Sequence, residues 1–89
     1  MFRLWGKLFK DTHLLKDIVI VNDDNSLNRT KKIFNAIDDI CNQFDLSKPI
    51  WLDANVSEFQ CYSKTRFTQD NFIEQLDFDF LEIHVIEED

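Results

Sequence analysis

The sequence predicts a small α+β domain of two layers: a three-stranded antiparallel sheet, with room for a fourth strand, and one long amphipathic helix packed on it. Three observations predict this. Residues 14–21, "LLKDIVIV", hold four consecutive β-branched side chains, which suit a pleated surface. Residues 27–44 repeat apolar side chains at helical spacing. Residues 81–85, "LEIHV", alternate apolar and polar side chains, as a strand with one buried face does. The expected order is β-β-α-α-α-β, with one or two of the helices short.

The first expected strand is residues 3–9, where Leu4, Gly6 and Leu8 share one face and Trp5, Lys7 and Phe9 the other. It faces 14–21 across a polar turn, Lys10 to His13, so the two form a hairpin. Large apolar groups on both faces of 3–9 place it in the middle of the sheet. Gly6, the only glycine, marks a bulge or the close approach of an aromatic ring. The long helix is expected over Leu27–Phe44, capped by Asn25 or Ser26, with Leu27, Phe34, Ile37, Cys41 and Phe44 along its stripe. Pro49 disfavours helical geometry at Lys48 and closes it.

Pro49–Asp53 is extended or loop. Asn55 and Glu58 have the spacing of a capping box before a short helix over Val56–Ser63. Thr68 caps a third helix, Gln69–Leu76, with Phe67 and Phe72 placed as a hydrophobic staple. The closing strand around Leu81–Val85 is read as an edge, guarded by Glu82, Glu87 and Glu88. A fourth strand has two candidate positions, Ile50–Leu52 and Thr65–Phe67. With 89 residues, one Gly, one Pro and no repeat, the chain reads as a single domain over 1–89.

Composition narrows the function classes. Aromatic residues make up 13% of the chain, which argues against disorder. Two cysteines are too few for a disulfide scaffold of this length. No signal peptide or membrane-length apolar run is present, so a reduced, cytoplasmic protein is the expectation. The net charge of −7 is unevenly placed. Residues 1–32 carry seven basic and four acidic side chains, while residues 33–89 carry three basic and thirteen acidic.

No motif carries chemistry. His13, Cys41, Cys61 and His84 lack zinc-ligand spacing, and "DDNS" lacks the Gly and Glu of a calcium loop. No GxSxG or nucleotide-binding loop occurs, so neither a cofactor nor a metal is expected, and an enzyme ranks last among three readings. The first reading is a small acidic cytoplasmic module for protein–protein contact, an adaptor that meets another protein or its own copy. Twelve aromatics exceed what a small core easily covers, and a symmetric dimer would bury the surplus. Trp51, Tyr62, Lys64 and Arg66 are the expected recognition group. The second reading is a phosphate ligand or nucleic acid held by Arg29, Lys31 and Lys32 at the start of the long helix. The acidic total disfavours nucleic acid, and Asp17, Asp23 or Asp24 are available to neutralise those cations. Arg66 itself is expected to pair with one of the acids of the final segment, such as Asp77 or Asp79.

Overall fold

The computed structural model describes residues 1–88. Four strands, β1 (Phe2–Lys10), β2 (His13–Asn22), β3 (Lys64–Phe67) and β4 (Phe80–Glu87), form one antiparallel sheet in the order β2-β1-β4-β3. Helices α1 (Arg29–Phe44) and α2 (Asp53–Tyr62) lie between β2 and β3 in the chain. The architecture is therefore α+β with β1 internal, but the order is β-β-α-α-β-β. The fourth strand comes from residues 64–67, and residues 50–52 form none. β4 also corrects the expectation: it is internal, between β1 and β3, and β2 and β3 are the edges.

The hairpin turns at Asp11 and Thr12, both at positive φ (52° and 66°) between the paired Lys10 and His13. This is the primed turn whose twist matches right-twisted strands. A register shift between Leu8 and Phe9 leaves Leu15 as an extra residue in β2.

One face of the sheet meets α1. Phe2, Leu4 and Leu8, with Leu81, Ile83, Val85 and Phe67, pack against Ile33, Ala36, Ile37, Ile40 and Cys41. Gly6 is a close approach, by an aliphatic side chain rather than an aromatic ring. A Cβ there would lie 2.8 Å from Ile40 Cδ1. Missing that carbon lets the helix seat Ile40, fully buried, directly over β1.

α1 begins at Arg29 because Asn28, not Asn25 or Ser26, supplies the cap: its Oδ1 accepts from the Lys31 N–H at 2.9 Å. Asp24 instead closes a local turn, accepting from the Ser26 N–H and hydroxyl. α2 starts earlier than expected, at Asp53, with Asn55 Oδ1 reaching back to the Leu52 N–H at 3.1 Å.

The third helix is absent; only a 3₁₀ turn, Gln69–Asn71, follows Thr68. Its side chains take the backbone partners a helix would use. Gln69 Oε1 accepts from the Leu76 N–H and Gln69 Nε2 donates to the Glu74 carbonyl, while Asn71 Oδ1 accepts from the Thr68 N–H as a capping box does and the Asn71 carbonyl accepts from the Ile50 N–H. The chain then turns extended at Phe72, which enters the core edge-on to Phe78, while Ile73 points outward at 91% exposure.

Candidate interaction surfaces

The face of the sheet away from α1 carries aromatic and charged side chains in register. Trp5 lies opposite Val19 and His84, and Lys7 opposite Asp17 and Glu82. Arg66 also lies opposite Glu82, and Phe9 opposite Phe80. Lys7 Nζ binds Glu82 Oε2 at 3.0 Å and stands 4.0 Å from the Trp5 ring centre. The Trp5 indole donates to Asp17 at 3.0 Å. Arg66 bonds Glu82 at 3.4 Å and covers the Phe80 ring at 4.5 Å, and Phe80 stacks on Phe9. The partner of Arg66 is thus Glu82, its cross-strand neighbour. Asp79 is engaged elsewhere, accepting from the Asp11 N–H at 2.8 Å. The Lys7 ammonium and the Arg66 guanidinium lie over the Trp5 and Phe80 rings, so around these pairs the face is closed by its own side chains.

Electrostatics here follow from burial and pairing. Burial pushes the Glu82 carboxyl up, but Lys7 and then Arg66 outweigh it and hold it below the usual carboxylate range. Burial, followed by Lys7 and Lys64, pushes the His84 imidazole below its ordinary value against the pull of Glu82.

The expected recognition group divides. Tyr62, Lys64 and Arg66 come together with Glu58 and Glu82 around a depression at the β3 edge, and Tyr62 is 68% exposed. Trp51 lies on the helix side of the sheet. Its half-buried indole meets Phe34, Phe59 and Phe67 edge-on, with ring centres 6.0, 5.6 and 5.1 Å away. It forms part of an apolar groove of about 280 Å³ between α1 and α2, walled by Phe34 and Val56, with Arg29 at its mouth.

Arg29, Lys31 and Lys32 do not share one open site. Arg29 is ion-paired to Glu88 and stands 5.4 Å from the Phe59 ring centre. Lys32 is buried, and the helix-start amide of Lys31 is capped by Asn28. Arg29 is neutralised by Glu88, and the charge of Lys32 acts on the Asp24 carboxylate, one of the expected acids. Cys41 is buried with its thiol pushed up to about 11 by burial, and Cys61 is exposed. Among the described residues no cluster of three or more His, Cys, Asp or Glu could hold a metal ion, and no helix is long and apolar enough to cross a membrane.

The surface that sequence reasoning missed is the outer edge of β2. This strand is ten residues long and pairs only with β1 among the described residues. Leu14, Leu15, Val19 and Val21 are each 41–51% exposed. The signal was "IVIV": a run apolar on both faces reads as an interior strand, yet it stands at the border of the sheet. Comparison of the chain with protein-family models, curated protein sequences and solved structures finds no match.

Proposed function

We propose that this protein is a non-catalytic protein-binding module whose working contact is strand addition along the outer edge of β2. The observation that supports this is the contrast between the two edges of the sheet. β3 is four residues long and α2 lies beside it. Its Arg66 carbonyl is already taken by Asn55 Nδ2 at 2.9 Å, and Lys64 and Arg66 flank it as cations. Short length, charge and cover are the devices that keep an edge from pairing. On this reading Tyr62, Lys64 and Arg66 guard the β3 edge.

β2 has such devices only in its first half, where the extra residue Leu15 precedes Lys16 and Asp17. Ile18–Val21 carries no charge, bulge or proline. An exposed, uncharged, β-branched edge offers main-chain hydrogen bonds to an extended segment and alternate side chains for specificity.

A photoreactive amino acid at Val19, with Gln43 on the exposed side of α1 as control, tests the proposal. Cross-linking in cells should give adducts with a protein chain at position 19 and none at 43. No adduct at position 19 would overturn it.

A further inference from the structure

We infer that the occupant of the β2 edge is a second copy of this chain, paired antiparallel about a two-fold axis through Val19. The inference rests on the strand-addition reading above and names its partner.

Charge fixes the register. In a two-fold pair whose axis is perpendicular to the sheet, opposed residues share a face, so the axis must pass through a residue rather than between two. An axis at Asp17 would set two carboxylates against each other, which is destabilising. An axis at Ile18 would leave only Lys16–Ile20 paired before the extra residue Leu15 interrupts the strand, and an axis at Ile20 would pair only Ile18–Asn22. An axis at Val19 sets Val19 against its own copy, Ile18 against Ile20, Asp17 against Val21 and Lys16 against Asn22. No like charges meet, and seven residues pair on each strand.

Both faces of this pairing suit the fold. Ile18 and Ile20 already pack on the core at the border of the sheet, and opposing Ile20 and Ile18 of the other copy would extend that core. Val19 and Val21, exposed at 41% and 51% on the outer face, would be covered by the same residue types. The pairing strand is neutral, with one Lys and one Asp, so the net charge of −7 is carried away from the contact. The two sheets become one of eight strands, with both α1 helices on the same side. A single strand-to-strand contact falls at or below the small end of specific interfaces, about 1,200 Å² of buried surface, so the pairing should be reversible and depend on concentration.

Solution mass over a concentration series from about 1 to 200 µM tests the partner. The mass should rise from 10.7 kDa toward twice that value. Val19→Lys should stay folded, because the site is exposed, and weaken association at least roughly tenfold by placing two cations on the axis. In a Cys61→Ser background, Val19→Cys should oxidise to a covalent dimer while Val21→Cys, opposite Asp17 of the other copy, should not.

A monomer at every concentration, with position-19 adducts to other proteins, would overturn the second copy and leave strand addition standing. A monomer with no adduct would overturn both. A dimer indifferent to Val19→Lys would overturn the inference by placing the contact elsewhere. Cross-linking through position 21 in preference to 19 would overturn the register.

Discussion

The side-chain amide of Asn71 donates to the amide oxygen of Asn55 at 2.7 Å, and both residues are buried. Around this bond the network is complete. Asn55 Nδ2 donates to Thr65 Oγ1 and the Arg66 carbonyl, Asn71 Nδ2 donates also to the Ile50 carbonyl, and Thr65 Oγ1 donates to Glu58. Two side chains thus tie the start of α2, strand β3, the 3₁₀ turn and residue 50 into one unit. Asn55→Ala should strand several of these groups and cost about 2–3 kcal/mol in urea unfolding. Asn55→Asp should be as damaging at neutral pH, since its carboxylate would face the Arg66 carbonyl, and should recover in part in acid. A loss under about 0.5 kcal/mol for the Ala variant would show that the network is not holding these elements.

Gly6→Ala should cost about 1–3 kcal/mol, because the added methyl runs into three carbons of Ile40: Cδ1 at 2.8 Å, Cγ2 at 3.1 Å and Cγ1 at 3.2 Å. Ile40 is β-branched and cannot swing clear easily. Ile40→Val removes the nearest carbon, so the double variant should be less destabilised than the sum of the two single changes. Strict additivity would mean that the two side chains do not compete for this space.

Thr12→Gly should stabilise the protein by about 1 kcal/mol. Thr12 is β-branched and held at φ 66°, a region L side chains disfavour, and its replacement makes the Asp-Gly turn that this hairpin geometry prefers. A rise in thermal midpoint of about 4–8 °C is expected for that gain in a domain of this size. An unchanged or lowered midpoint would argue that the Thr12 hydroxyl, which donates to the Asp11 carbonyl at 2.6 Å, outweighs the backbone cost.

Stability should fall in acid in two separable windows. His84 is depressed in the folded state, so below the ordinary histidine range the unfolded chain binds the extra proton and stability drops as pH falls through that range. Glu82 is also depressed; its contribution is whole above the ordinary glutamate range and is lost as pH falls through its folded value. Denaturant titrations of His84→Gln should flatten the first window, and those of Glu82→Gln the second. Unchanged pH profiles in both variants would show that neither group is linked to folding.

One thiol should react with a colorimetric disulfide reagent in the native protein and two after unfolding. Cys61 is exposed, whereas Cys41 is buried with its thiolate disfavoured. A Cys61→Ser variant that still reacts rapidly when folded would contradict the placement of Cys41.

Elements whose signal is local were legible in the sequence. The β1–β2 hairpin, α1 and the alternation in β4 are carried by side-chain periodicity over a few residues. The false third helix shows the limit. Phe72, Ile73 and Leu76 have helical spacing, but the Gln69 side chain takes the Leu76 N–H and the Glu74 carbonyl, and the distant Ile50 N–H takes the Asn71 carbonyl. The middle position of β1 was legible from its two apolar faces, but the seat of β3 outside β4 was not, because it depends on long-range packing. The interaction surfaces were read from residue type. Trp51 is of a type common at interfaces, yet its ring is held by Phe34, Phe59 and Phe67. The β2 edge was hidden because exposure depends on the absence of a neighbour, which no window of sequence records.

The middle of the sheet is built from the first and last strands, with Arg3 opposite Glu87 and Phe9 opposite Phe80. This sets an order of events in time. The β1–β2 hairpin can close within microseconds, but β1 cannot complete its second row of hydrogen bonds until nearly the whole intervening chain has been looped back. Folding should therefore be limited by that long-range closure rather than by helix formation. During synthesis the outer flank of β1 stays bare until β4 emerges, which is the interval in which the chain is most exposed to aggregation.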